Sequence, residues 1–313
     1  MARGETSMVP EAEFESYYGR PILKEPTWKT PDVPLYLFLG GLAGASSVLA
    51  EGAAITGRPD LERVARLAAA GGAAAGTVAL VHDLGRPERF LNMLRVLKPT
   101  SPLSVGSFIL APFSGLAGAA AASQVTGILP RLGRLAGIGA AAFGPPLATY
   151  TAALLANTAV PAWHEAHREL PFVFGGSGAQ AAGGLAMVFV PCAQAAPARR
   201  MALAGAAVEI AAAESILVRR GLVAEPYRIG TPGRLMKIAR NSTAAASALT
   251  LVAGRRSRLL SAVAGLTYVA ASVTTRFGIF EAGRASARDP KYVVVPQRER
   301  LAAREGASAK MSG

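Results

Sequence analysis

The feature that most constrains this chain is a series of eight apolar stretches, parted by short charged loops. They run roughly over 33–55, 64–82, 103–124, 135–156, 171–192, 200–218, 241–254 and 258–276. A hydrocarbon layer of about 30 Å takes roughly 20 residues of helix to cross. Lipid offers no hydrogen bonds, so a spanning segment must satisfy its own backbone as a helix or a closed barrel. The expected fold class is therefore all-α: a polytopic membrane protein with a bundle of eight transmembrane helices over 33–276. Polar tails fill 1–32 and 277–313. The seventh stretch is the weakest, because Asn241, Ser242 and Thr243 open it and Arg255 and Arg256 close it.

Charge supports the same reading. Only 17% of residues are charged, 51% are hydrophobic, and the mean hydropathy is +0.32. Soluble domains carry about 25% charged residues. The net charge of +13 sits in loops beside apolar runs, which suits an anionic membrane surface rather than nucleic acid. With eight spans, both termini share a side with three loops. That side holds 23 Lys and Arg residues against 10 on the other. The positive-inside rule then predicts cytoplasmic termini in a bacterial plasma membrane. Residues 1–30 lack the pattern of a cleavable signal, so the first span is expected to act as the insertion signal. The single cysteine, Cys192, can form neither an internal disulfide nor an iron–sulfur site.

Small residues recur inside the spans at Gly40, Gly41 and Gly44, at Gly71, Gly72 and Gly76, and at Gly133 and Gly137. This spacing predicts close helix packing in lipid. On the eight-span topology the motif-like polar residues gather at the cytoplasmic ends: Asp32, Tyr36, His82, Asp83, Tyr150, Asn157, His164, Glu165, His167 and Arg276. Polar groups beside lipid are costly unless paired or functional. Their convergence suggests a pocket, although caps and interfacial anchors account for each one singly. The loop after Asp83 carries Arg86, Arg89, Arg95 and Lys98, candidates for docking a partner; it also reads as a rigid connector. Asp83 is positioned to pair with Arg86 or Arg89, and Thr100 or Ser101 before Pro102 suits a helix start. Glu51, Glu209 and Glu214 fall inside spans and should face the interior. They are candidates for a proton route, or are satisfied by partners such as Arg219 or Ser46.

The run Pro34-Leu-Tyr-Leu-Phe-Leu-Gly-Gly-Leu-Ala-Gly-Ala resembles the first-helix signature of the NrfD/PsrC family, the polysulfide reductase type of membrane anchor. Asp83-Leu-Gly-Arg-Pro-Glu-Arg-Phe, with Thr100-Ser-Pro-Leu-Ser, resembles the family's loop and third-helix start. Ala148-Thr-Tyr-Thr, then Val160-Pro-Ala-Trp-His-Glu, resembles its fourth-helix end. Arg276-Phe-Gly-Ile-Phe-Glu-Ala-Gly is similar to its tail. The resemblance implies an eight-helix anchor without haem, joined to a four-cluster iron–sulfur subunit and a molybdopterin catalytic subunit. Such an anchor exchanges electrons between the nearest partner cluster and a quinone, usually menaquinone. It also implies quinone contacts near the start of the first helix and at a fourth-helix tyrosine. Tyr36 falls where the polysulfide reductase anchor has a histidine, and Val33, next to Asp32, where it has an asparagine. Tyr150 takes the place of the tyrosine. Tyr36, Asp32 and Tyr150, together with His164 and Asp83, which supply polar groups at the same depth, are the quinone-binding candidates. The pattern further resembles actinobacterial relatives beside formate dehydrogenase subunits, which implies electron flow from formate to menaquinone.

Two other readings compete. A dihaem cytochrome b anchor needs four axial histidines, and the chain has three. A secondary transporter predicts an inverted repeat with paired broken helices, and the two halves show no convincing repeat.

Overall fold

The computed structural model describes residues 22–84, 92–254 and 256–311. The long helices are α1 (Asp32–Ile55), α2 (Pro59–Leu84), α3 (Pro102–Thr126), α4 (Pro130–Ala156), α6 (Leu170–Phe189), α7 (Ala196–Arg219), α8 (Gly230–Ala253) and α9 (Arg258–Arg288). A short α5 (Pro161–Glu165) follows α4. A 3-10 turn (Gly221–Tyr227) joins α7 to α8, and α10 (Lys291–Met311) closes the described chain. Seven of the helices are long and apolar enough to cross a membrane. The protein is a polytopic all-α membrane protein.

The boundaries follow local chemistry. Proline occupies the first turn of α3 and α4, where no backbone N–H partner is lost. Ser101 caps α3 as expected, its hydroxyl accepting from the Ser104 N–H at 3.5 Å. Gly127 ends α3 in the left-handed region, φ 72°, a conformation that costs glycine little.

The one long helix outside those seven is α8, and it explains the weak seventh stretch. It begins eleven residues before Asn241, at Gly230, and its first half carries Arg234, Lys237 and Arg240. It lies against α9, so protein takes the place of lipid along one face. α9 runs twelve residues past the predicted end of the last span, to Arg288. The additional turns stand beyond a hydrocarbon layer that about 20 residues already cross.

α1 is the central helix, with 83% of its span buried against α2, α4, α6 and α9. The crossings are close because the contacts are glycine. A Cβ on Gly44 would collide with the Gly144 carbonyl oxygen, and one on Gly176 with the Gly205 carbonyl oxygen. Large apolar residues such as Val78, Leu135, Val252 and Leu259 are instead exposed on the outside, as lipid solvation requires. Among the described residues, the α1–α2, α3–α4, α6–α7 and α8–α9 connections form one end of the bundle. The opposite end holds the strap 22–31, α5, the 3-10 turn and the end of α9. Here Trp28 stacks on the fully buried Trp163 with centroids 5.6 Å apart. The Trp163 indole N–H donates to the Ile279 carbonyl at 2.8 Å. Tyr227 donates its hydroxyl to the Ala162 carbonyl at 2.9 Å. Glu25 accepts from Arg284 and Arg288 at 2.9 and 2.7 Å.

Candidate functional site

Asp32 and Tyr36 lie one turn apart on α1, so their side chains share a face. The Asp32 carboxylate sits 2.8 Å from His82 Nδ1 across the α1–α2 crossing. The His82 side chain is otherwise 73% exposed, which connects the partly buried acid to solvent. One turn deeper, Tyr36 is buried beside Gly76 of α2. Tyr150, near the end of α4, presses its ring against Gly106 of α3, where a Cβ would occupy the same space. Both rings adjoin one apolar cluster that includes Leu80, Leu110, Phe113 and Leu147. Neither phenol hydroxyl hydrogen-bonds to a described residue.

Two other predicted members of this pocket are engaged elsewhere. Asp83 accepts the backbone N–H of Lys29 at 3.0 Å and so ties the strap to α2. Its expected partners Arg86 and Arg89 lie outside the described residues. His164 Nδ1 lies 2.9 Å from the Ala156 carbonyl and closes the C-terminus of α4. His167 Nδ1 meets the His164 carbonyl at 3.0 Å. Of the docking candidates, Arg95 and Lys98 are exposed, next to exposed Val96 and Leu97.

The three acids of the predicted proton route occupy three separate environments. Glu51 lies at the opposite end of the bundle from Tyr36, buried, 3.4 Å from Arg66 and 3.2 Å from Arg134. Arg66 also holds Glu62 at 2.7 Å. Glu214 pairs with Arg240 at 2.8 Å on the half-exposed outer face of α7 and α8. Glu209 alone is deep in the bundle: Thr275 donates to its Oε1 at 2.6 Å, and Gln180 Nε2 donates to its Oε2. The partners anticipated from sequence, Ser46 and Arg219, are not the ones used. The Ser46 hydroxyl is buried without a hydrogen-bond partner among the described residues.

Arg276 also departs from expectation. It does not end a helix but sits within α9, fully buried. Its guanidinium lies 3.8 Å above the Phe174 ring and donates to the Phe174 carbonyl at 2.8 Å. With Ser177, Gln180, Ser272 and Thr275 it surrounds Glu209 with polar groups in the α6–α7–α9 interior. Gln180, Ser272 and Thr275 were missed because a lone polar residue in an apolar run does not reveal its facing helix. Arg66 was the recoverable one: a three-residue turn folds α2 back on α1 and returns a basic residue to the level of Glu51.

A family model described as polysulphide reductase, NrfD, matches residues 24–202, more than half of the chain. No curated protein matches.

Proposed function

The chain belongs to the polysulphide reductase NrfD family, and from that premise we propose that it is the haem-free quinone-reactive anchor of a molybdopterin and iron–sulfur oxidoreductase. In this reading it passes electrons between a cluster of a four-cluster partner subunit and menaquinone or menaquinol. The catalytic partner acts on formate. The docking surface is the end of the bundle that carries the strap, Arg95 and Lys98, with Arg86 and Arg89 on the same loop.

The observation that carries the reading is the pair of phenols, Tyr36 and Tyr150, whose hydroxyls have no hydrogen-bond partner among the described residues and lie beside a common apolar cluster. A quinone head needs an apolar slot with one or two donors at its carbonyl oxygens, and these residues fit that need. When bound, the quinone supplies a carrier of two electrons and two protons. Tyr36 and Tyr150 orient the head by donating to its oxygens. Asp32 holds His82 at the solvent edge, where an imidazole can pass protons between the site and water. Asp83 fixes the strap over this end, and His164 holds α5 against α4. Glu51, Glu209 and Glu214 do not form one continuous relay, so proton exchange is assigned to the Asp32–His82 edge.

The distribution of Lys and Arg supports cytoplasmic termini and a cytoplasmic docking face. A reporter fused at Gly313 that is active only outside the cell would reverse this orientation. For the site itself, Tyr36→Phe and Tyr150→Phe are each expected to slow menaquinol-analogue oxidation by the purified complex about tenfold or more, with the iron–sulfur subunit still bound. Wild-type rates in both variants would remove the phenols from the site.

A further inference from the structure

A cavity of about 210 Å³ opens between α7 and α8. Its walls are Ile210, Ala213, Leu217 and Met236, and its floor is Glu209 and Thr275. All of these residues lie beyond position 202, where the family match ends.

The depth of the mouth follows from α9. That helix starts at Arg258 at the opposite end of the bundle, and the 20 residues to Gly278 rise about 30 Å, the thickness of a hydrocarbon layer. Gly278 abuts Met236 of α8. Met236 and its neighbour Lys237 therefore stand at the headgroup boundary, and the cavity descends from there into the apolar layer. From Leu217 to Glu209 the cleft follows α7 for about 12 Å.

Charge at the mouth is set by four lining residues. Glu214 and Arg240 neutralise each other at 2.8 Å. The Arg228 guanidinium donates to the Leu217 carbonyl. Lys237 is exposed and has no described ion-pair partner. The rim thus keeps two positive charges at headgroup level, above an apolar shaft. The floor offers no site for an anion, because Glu209 is an acceptor and the neighbouring donors Thr275 and Gln180 already point at it.

We propose that this cleft is a binding site for one anionic phospholipid, with an acyl chain between α7 and α8 and the phosphate at Lys237 and Arg228. A basic residue near an anionic headgroup contributes about 1 kcal/mol, or roughly fivefold in affinity per charge.

The test is native mass spectrometry of the full chain in its native complex, titrated with phosphatidylglycerol or phosphatidylcholine. Wild type should retain one phosphatidylglycerol in preference to phosphatidylcholine. Lys237→Gln should cut that preference roughly fivefold, and Lys237→Arg should keep it. Ala213→Trp, which fills the shaft, should release the lipid, while thermal unfolding confirms that the bundle persists. Inorganic phosphate at matching concentration should not displace the lipid. Retention that survives both Lys237→Gln and Ala213→Trp overturns the proposal. So does displacement by inorganic phosphate, or a quinone as the retained species.

Discussion

Glu51 of α1 and Arg66 of α2 lie 3.4 Å apart with both side chains buried, and Arg134 of α4 closes on the same carboxylate at 3.2 Å. Three helices are thus pinned at one end by a single acid. Removing one partner from a buried ion pair leaves a charge without compensation. Arg66 keeps Glu62 at 2.7 Å, so the loss is partial. Glu51→Ala should cost roughly 2 kcal/mol, below the 3–5 kcal/mol of a fully stranded charge. The double variant Glu51→Leu, Arg66→Met should recover most of that loss. Thermal unfolding in detergent measures both. Quinol oxidation per folded complex should be unchanged, because the cluster stands at the far end from Tyr36; a rate loss without a stability loss would place Glu51 on a proton route.

The crossing of α1 and α4 depends on glycine. A Cβ on Gly44 would meet the Gly144 carbonyl oxygen, backbone that cannot move aside as a flexible side chain would. Gly44→Ala should therefore destabilise by about 1–3 kcal/mol through overpacking. Gly71→Ala is the control, because nothing lies within 4 Å of a Cβ there; it should be neutral or slightly stabilising. Parallel melting curves of the two variants decide the matter.

These two sites show what hydropathy conveys. The spans, the Ser101 cap and the small-residue faces were legible because each depends on residues close in sequence. Facing partners were not. Glu209 was read as an interior acid, but nothing near it in sequence announces Thr275 or Gln180. Arg276 looked like the end of a span because the apolar run stops there, whereas α9 continues past the hydrocarbon as a helix supported by α5 and the 3-10 turn. α8 looked short for a related reason: its first turns carry Arg234, Lys237 and Arg240 on the exposed face, Arg240 paired with Glu214, so the helix starts well before its apolar run. Tyr36, Tyr150, Asp83 and His164 share a depth, and depth alone does not announce that Asp83 accepts the Lys29 N–H or that His164 meets the Ala156 carbonyl.

The strap should loosen in acid. Hydrogen bonds from Arg288, then Arg284, hold the Glu25 carboxyl below its ordinary value of 4.5. A lowered folded value means that the pairing contributes fully above pH 4.5 and is lost as pH falls through the folded value. Glu25 is 38% exposed, so the contribution is modest, under about 1 kcal/mol. Proteolysis of the strap should quicken as pH falls below 4.5 in wild type. In Glu25→Gln it should be fast at neutral pH already. Equal rates in the two proteins at neutral pH would mean that the Trp28–Trp163 stack and the Asp83–Lys29 hydrogen bond hold the strap without Glu25.

The Arg276 guanidinium has no exposure, and its Nε and Nη1 lack hydrogen-bond partners among the described residues. Its compensation is the Phe174 ring, the Phe174 carbonyl and the negative charge of Glu209. A cation in this position is tolerated only while a counter-charge remains nearby. Glu209→Leu should thus be among the most damaging single changes, at about 3–5 kcal/mol. It also strips Gln180 of its acceptor and leaves the Thr275 hydroxyl only the Ala271 carbonyl. Glu209→Gln keeps an acceptor but not the charge, and should fall between Glu209→Leu and wild type. Glu209→Leu combined with Arg276→Met removes both charges and should be more stable than Glu209→Leu alone. Folded yield and melting temperature rank the four proteins. If the double variant is no better than Glu209→Leu, the two charges are not coupled and Arg276 is held by Phe174 alone.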